Sequence, residues 1–162
     1  MCGDETCSSC PRDCGVCPTR SEAQIFTEPI SMIKDEELRQ AGYVIVRYYY
    51  AQNCQDCREP ADVEAQLKKL ASDYSDIIVL LPIDSTKYPY DAKRYAEVAG
   101  IVYKPTIRLD GIKGGQPGYD MLFGYSLVQK LQDGDAVNDV VPLICAHSDK
   151  CRYEGGKIVR SS

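Results

Sequence analysis

Residues 43–57 read YVIVRYYYAQNCQDC, an apolar run that leads directly into two cysteines. The run over 43–50 consists almost throughout of β-branched and aromatic side chains, which is typical of a strand buried on both faces of a parallel-type sheet. After the cysteines, apolar residues recur at helical spacing over about 58–74. The stretch therefore predicts a buried strand, a turn that carries Cys54 and Cys57, and a long helix.

The remaining segments alternate between strand and helix patterns around this unit. We predict strands over 23–27, 43–50, 77–83, 106–109 and 121–125, and helices over 32–41, 58–74, 91–99 and 135–145. Ser31 is expected to cap the first of these helices, and Asp110 with Gly111 is expected to open a turn. This order predicts the α/β class, with a mixed sheet and helices on both faces.

The charge balance and hydropathy exclude two classes of function. The net charge is −5 and no basic stripe is present, whereas nucleic acid binding requires a concentrated basic surface, so we expect no nucleic acid partner. No apolar run approaches the roughly 18 to 20 residues of a transmembrane helix. The first ten residues, MCGDETCSSC, are not a signal peptide. The cysteine usage described below nevertheless favours the mature part of an exported protein, without its signal or anchor.

The two central cysteines are placed where a thiol can be activated. At the start of a helix, free N–H groups and the helix dipole stabilise the thiolate of Cys54. Cys57 follows one turn along the same helix, within reach of a disulfide. Such a pair can attack a substrate disulfide and then resolve the mixed disulfide. Cys54 is the candidate nucleophile and Cys57 the candidate resolving thiol, with a purely structural disulfide as the alternative.

Over about residues 23–146 the chain resembles the thioredoxin superfamily. The resemblance is carried by VIVRYYYAQ (44–52), CQDC (54–57), IIVLLPID (77–84) and VYKPT (102–106). It implies a thioredoxin-like three-layer fold, with a mixed central sheet flanked by helices. It also implies that Pro105 is a cis-proline facing the redox pair and that backbone groups of Lys104 pair a bound polypeptide. Lys104, Pro105 and Thr106 thus form the expected substrate-docking platform.

The surroundings of the pair depart from the family pattern. Asn53, Gln55 and Asp56 replace the family's common Trp-Cys-Gly-Pro-Cys context, and Tyr48 or a neighbour stands where a buried acid often accepts a proton. Asp56 disfavours a thiolate, whereas Lys104 favours one. Because these effects oppose each other, oxidase, reductase and isomerase activities all stay open.

Five of the nine cysteines crowd the first seventeen residues. This segment has almost no aliphatic residue, so crosslinks or a metal must hold it. It resembles cysteine-rich units of the form CGDGxC…ExCxxCPxDCGxC from secreted and surface proteins of archaea and bacteria, which implies a disulfide-stapled segment with one unpaired cysteine. The alternative is zinc or an iron–sulfur cluster, although the two cysteine pairs lie closer together than in usual zinc sites. The structural cysteines would be Cys2, Cys7, Cys10, Cys14 and Cys17, and the alternative metal ligands Cys7, Cys10, Cys14 and Cys17.

Near the C-terminus, Cys145 and Cys151 predict a disulfide that pins the C-terminal tail to the last helix. His147 lies between them, and we expect it to face solvent in a loop. Tyrosines such as Tyr88 and Tyr90 are expected to pack in the core or at sheet edges. A tyrosine cluster near the cysteine pair could nevertheless line a peptide groove.

These features predict three parts: a cysteine-rich, disulfide-stapled segment over 1–22, a thioredoxin-like domain over 23–151 and a tail over 152–162. The expected function is a thiol–disulfide oxidoreductase acting on protein disulfides. Its partners would be protein thiol or disulfide substrates and a redox donor or acceptor protein, with no cofactor beyond the redox-active disulfide. The alternatives are a non-catalytic surface or interaction scaffold and a metal-linked electron-transfer protein. Cysteines outside the motif are easiest to keep as disulfides under oxidising conditions, so we expect an extracytoplasmic or secreted protein.

Overall fold

The computed structural model describes residues 23–50, 63–96, 106–123 and 136–161. The strands in these ranges are β1 (Gln24–Ile25), β2 (Val44–Tyr50), β3 (Ile78–Asp84), β4 (Thr106–Lys113), β5 (Gln116–Phe123), β6 (Cys151–Glu154) and β7 (Lys157–Arg160). The helices are α1 (Met32–Gln40), α2 (Val63–Asp73), α3 (Pro89–Ala96) and α4 (Ala136–Ala146). None of these helices is long and apolar enough to cross a membrane.

Five strands form one mixed sheet in the order β1-β3-β2-β4-β5. β1, β3 and β2 run parallel, whereas β4 is antiparallel to β2 and β5 is antiparallel to β4. The apolar run occupies the central strand β2, whose residues are buried up to Tyr49. This position agrees with the prediction of a strand covered on both faces.

Alternate residues of β2 contribute to two separate cores. Val44, Val46 and Tyr48 belong to a core that includes residues of α2 and α4. Ile45 and Tyr49 belong to the core on the other face, which includes Leu38 of α1 and Ala92 of α3. Helices therefore cover both faces of the sheet, and the predicted three-layer α/β architecture is confirmed.

The start and end of α1 follow from local sequence. Ser31 Oγ accepts a hydrogen bond from the backbone N–H of Lys34, at 3.1 Å, which satisfies one of the N–H groups that the first helical turn leaves free. After the helix, Gly42 has φ +95°, a conformation that glycine adopts without a steric penalty. The predicted cap and end of this helix are confirmed.

The turn between β4 and β5 is not where the sequence predicts it. Asp110 and Gly111 continue β4, which extends to Lys113, and the turn is made by Gly114 and Gly115 at φ +59° and +80°. Two consecutive positive φ values are what a two-residue hairpin turn of type I′ requires. The prediction of a turn at Asp110-Gly111 was wrong because Gly111 serves a close backbone contact: a Cβ there would lie 2.1 Å from the carbonyl oxygen of His147.

The last residues of the described chain form the hairpin β6–β7, to which the sequence analysis assigned no strands. The predicted disulfide between Cys145 and Cys151 joins α4 to this hairpin, and both cysteines are buried. His147 is also buried, at 9% exposed, and its Nε2 lies 2.7 Å from Asp120 Oδ2. The expectation of a solvent-facing histidine was wrong, because the short disulfide-closed loop lays His147 against β5.

Candidate functional site

Most of the predicted functional residues lie outside the described ranges. These residues are Cys2, Cys7, Cys10, Cys14, Cys17, Asn53, Cys54, Gln55, Asp56, Cys57, Lys104 and Pro105. Thr106, Cys145 and Cys151 are described. The described residues nearest to the cysteine pair in sequence are those at the end of β2.

The strands that flank the predicted motif end at one edge of the sheet. Tyr50, the last residue of β2, pairs with Asp84, the last residue of β3. Thr106, the first residue of β4, pairs with Tyr49. We call this border, defined by Tyr50, Asp84 and Thr106, the Tyr50 edge. The chain leaves the sheet here four residues before Cys54.

The strand β4, which follows the predicted proline in sequence, begins at the same edge. Pro105 is bonded directly to Thr106, so the register of β2 and β4 connects the cysteine segment and the proline segment to one border of the sheet. Thr106 itself is only 2% exposed. It pairs with Tyr49 on one side and with Phe123 on the other, so the residue is enclosed within the sheet.

A hydrogen-bonded clamp fixes the Tyr50 edge. The backbone N–H and the Oγ of Ser85 both donate to the carbonyl oxygen of Tyr50, at 2.7 and 2.8 Å. Asp84 Oδ1 accepts from the N–H of Thr86 at 2.9 Å, which tightens the turn after β3. The last residue before the cysteine segment is thus held by the loop that follows β3.

Tyr48 is one of the residues expected from the family resemblance at or beside the position of a buried acid. It is 2% exposed, and its ring centroid lies 5.7 Å from that of Tyr50. Burial, and after it the negative charge of Glu64, raises the pKa of Tyr48, and the same two causes raise the pKa of Tyr50. Both phenols stay protonated at neutral pH, so neither replaces a carboxylate base.

The other face of β2 carries a charged cluster that the sequence analysis missed. Arg47 is buried, and its guanidinium donates to Asp35 of α1 and, at 3.2 Å, to Asp110 of β4. The guanidinium carbon lies 3.8 Å from the ring centroid of Tyr95. Arg108 forms two further hydrogen bonds with Asp110, at 2.8 and 3.0 Å. The signal that could have found it is the single arginine inside an apolar strand, since a buried arginine requires charged or polar partners.

A cavity of about 420 Å³ opens beside this cluster, between α1 and the β4–β5 hairpin. Its polar lining includes Arg39, Arg108, Asp35 and Asp110, which are paired with one another by hydrogen bonds. Asp110 pairs with Ile45 near the opposite end of β2. The cavity therefore lies away from the Tyr50 edge and is not part of the predicted redox site.

Comparison with known proteins gives structural similarity only. No family model matches the chain, and no curated protein matches it. A mutant thioredoxin from Halobacterium salinarum is similar with a TM-score of 0.49 at 19% identity, over 81% of this chain and 96% of that chain. Mitochondrial thioredoxin 3 from Saccharomyces cerevisiae gives 0.41 at 25% identity over 68% and 91%, and thioredoxin f from spinach chloroplast gives 0.41 at 20% over 70% and 95%. All three are thioredoxins.

The strand order and the helix layers of this chain are those of a thioredoxin-like fold. The central strand β2 lies between parallel β3 and antiparallel β4, and two helices contribute to the core on each face. The fold class predicted from the sequence is therefore the observed one. The cysteine-rich segment 1–22 lies outside the described residues, and no group of three or more histidine, cysteine or acidic side chains suited to a metal occurs within them.

Proposed function

We propose that this protein is a thiol–disulfide oxidoreductase that acts on protein disulfides through Cys54 and Cys57. The observation that supports the proposal is the Tyr50 edge, to which the C-x-x-C segment and the segment ending in Pro105 are both connected. In this arrangement a redox-active pair and a polypeptide-docking segment serve the same substrate.

The proposed reaction has two steps. The Cys54 thiolate attacks one sulfur of the substrate disulfide, so that a Cys54–substrate disulfide forms and the other substrate sulfur leaves as a thiolate, which takes up a proton. The Cys57 thiolate then attacks Cys54 Sγ and expels the second substrate thiolate. The substrate gains two electrons and two protons, and the protein is left with a Cys54–Cys57 disulfide. A redox donor protein then reduces this disulfide and restores the dithiol. In the oxidising direction the same two steps run in reverse, and an acceptor protein reoxidises the pair.

In the proposed complex, backbone groups of Lys104 pair with an extended polypeptide in the manner of an added strand. Pro105, which has no N–H to donate, would face the Cys54–Cys57 pair as the family resemblance implies. Because Thr106 is buried, its contribution is to anchor this segment in β4 next to Tyr49.

The test is disulfide reduction in insulin and refolding of scrambled ribonuclease, measured for the wild type and for Cys54→Ser. We expect Cys54→Ser to abolish both activities and Cys57→Ser to accumulate a mixed disulfide with the substrate. The double variant Cys145→Ser/Cys151→Ser is the matched control, since it removes a cysteine pair far from the Tyr50 edge. Activity that survives Cys54→Ser would contradict the proposal.

We also propose an oxidising, extracytoplasmic compartment. The Cys145–Cys151 disulfide supports it, because disulfides that staple small domains persist where thiols are not kept reduced. A disulfide map of the protein isolated with its thiols blocked tests this. Recovery of Cys145 and Cys151 as alkylated thiols would contradict it.

A second candidate function is a non-catalytic interaction scaffold. Tyr48 favours it, because this buried phenol stays neutral at or beside the position where the resemblance often places a proton acceptor. The reduction potential of the Cys54–Cys57 pair separates the two functions. A reduction potential close to that of cellular thiol pools supports the enzymatic function. A potential so low that these pools cannot reduce the disulfide supports the scaffold.

A further inference from the structure

An exposed group of aromatic and cationic side chains lies beside the loop that follows β3. A cavity of about 350 Å³ is lined there by Pro29, Tyr88, Pro89 and Tyr90, with Lys87 and Arg94 beside them. Tyr90 is 87% exposed, although the sequence analysis expected this tyrosine to be packed. We call these six residues the tyrosine patch. Tyrosine and arginine are enriched at protein-binding surfaces.

The tyrosine patch is cationic although the protein is acidic. Lys87 and Arg94 are exposed, whereas the chain as a whole has a net charge of −5. The carboxylate that lines the same cavity, Asp91, accepts a hydrogen bond from the buried Tyr49 hydroxyl at 2.8 Å. Glu28 is exposed next to Pro29 but does not line the cavity. Two cations therefore face one carboxylate, which favours a ligand of negative charge.

The loop that carries the patch is held firmly against the Tyr50 edge. The N–H groups of Lys87 and Tyr88 donate to the carbonyl oxygen of Asp84 at 3.1 and 2.9 Å. Ser85, next to Asp84, donates twice to the carbonyl oxygen of Tyr50. The patch thus stands at the border where the chain continues to Cys54, on a loop fixed before any ligand binds.

We propose that the tyrosine patch binds an acidic, extended polypeptide segment with an apolar side chain, and that this segment belongs to the substrate whose disulfide reacts. The apolar side chain would fill the cavity between the prolines and tyrosines, while Lys87 and Arg94 contact the carboxylates. The inference rests on the proposed function, because it specifies the substrate class for the Cys54–Cys57 pair. It adds a specificity site that lies outside the predicted Lys104–Thr106 platform.

The first test measures binding without any redox step. A fluorescent, cysteine-free peptide that contains phenylalanine flanked by glutamates is titrated with the full-length protein at low salt, beside the same peptide with lysines in place of the glutamates. We expect the acidic peptide to bind about tenfold more tightly than the basic one, and less tightly as salt is added. Equal affinities for both peptides would overturn the proposal.

Two substitutions and two controls locate the binding site. Lys87→Glu and Tyr90→Ala should each reduce the affinity for the acidic peptide about five- to tenfold. The matched controls are Lys157→Glu and Tyr153→Ala, which alter an exposed lysine and a 44% exposed tyrosine on the β6–β7 hairpin. They should leave the affinity unchanged. Equal loss in controls and patch variants, or no loss in either, would overturn the proposal.

The second test keeps this inference separate from the proposed function. Turnover is measured with an acidic disulfide peptide and with a small uncharged disulfide such as hydroxyethyl disulfide. In Lys87→Glu we expect KM for the acidic peptide to rise about five- to tenfold at unchanged kcat, with turnover of the uncharged disulfide unaffected. An unchanged KM in Lys87→Glu, with normal turnover, would overturn the proposed docking site but not the proposed enzymatic function. Binding of the acidic peptide without turnover of any disulfide would overturn the enzymatic function but not the binding site.

Discussion

Arg47 Nη2 donates a hydrogen bond to Asp35 Oδ2 in the layer between β2 and α1, where the two side chains are 1% and 7% exposed. Removing two charges from water is costly, and the attraction between them offsets this cost only when further partners are present. Asp110 and the ring of Tyr95 are those partners. The pair therefore fixes the positions of α1 and β4 against the central strand.

Loss of one member of this pair should destabilise the protein strongly. Asp35→Ala leaves the Arg47 guanidinium buried with one carboxylate fewer, and we expect a loss of about 3–5 kcal/mol in the free energy of unfolding, measured with urea. The double variant Asp35→Leu/Arg47→Met should lose much less, because no unpaired charge remains. Glu36→Ala, at the exposed neighbour on α1, is the control and should change stability by less than about 0.5 kcal/mol. Equal losses in the single and double variants would contradict this account.

Stability should decrease in acid partly through Asp35. Burial opposes the ionisation of this carboxyl, but the hydrogen bonds and charges of Arg47 and Arg39 outweigh burial and hold its pKa below the ordinary value of 3.8. The hydrogen bond from Arg160 likewise lowers the pKa of Asp76. A carboxyl with a lowered folded pKa binds fewer protons when folded than when unfolded. Its contribution is complete above the unfolded pKa and is lost as the pH falls through the folded one.

Urea unfolding from about pH 6 down to about pH 2 tests this linkage. The wild type should lose stability over the acid part of the range, and Asp35→Asn, which starts from a lower stability, should lose less over the same interval. Glu36→Gln should follow the slope of the wild type. If Asp35→Asn and the wild type have parallel pH profiles, the pKa of Asp35 is not lowered by folding.

The parts of the fold that were predictable rest on local patterns. A run of β-branched and aromatic residues identified β2, and Ser31 with acidic residues in the following turn identified α1, because caps and burial act within a few residues. The predicted turn at Gly111 was wrong because this glycine is required by a long-range contact and not by a local turn. The contact is with His147, which is distant in sequence. The two glycines after Lys113 carried the correct turn signal.

For the candidate site, the resemblance to the thioredoxin superfamily predicted that Pro105 faces the pair Cys54–Cys57, and these residues lie outside the described ranges. Within the described residues, the register of β2 and β4 brings Thr106, which follows Pro105, beside Tyr49. The exposure of Tyr90 was not predictable, because it depends on how Ser85 and Asp84 fix the loop. The cluster around Arg47 required the register of β2 against β4, which no local pattern specifies.

The disulfide that holds the C-terminal hairpin should contribute modestly to stability. Cys145 and Cys151 are separated by six positions, and closing so short a loop restricts the unfolded chain by about 2 kcal/mol. We expect Cys145→Ser/Cys151→Ser to lose about that amount in urea unfolding. The hairpin should stay docked, because Lys150 Nζ still donates to the Asp76 carbonyl oxygen and Arg160 still pairs with Asp76. Hydrogen exchange checks this, and loss of protection throughout β6 and β7 would contradict it.

Two glycines that face the same histidine should respond oppositely to alanine. A Cβ at Gly111 would lie 2.1 Å from the His147 carbonyl oxygen, whereas a Cβ at Gly118 would lie 3.5 Å from His147 Cε1, an ordinary contact. Gly111→Ala must displace backbone and should lose about 1–3 kcal/mol or more of unfolding free energy. Gly118→Ala should be neutral or stabilise by up to about 1 kcal/mol, because alanine has less backbone freedom to lose in a strand. Urea unfolding measures both, and the NMR signals of the His147 ring report whether its contact with Asp120 survives. Equal destabilisation by the two substitutions would mean that the loop closed by Cys145 and Cys151 does not approach β4 as closely as described.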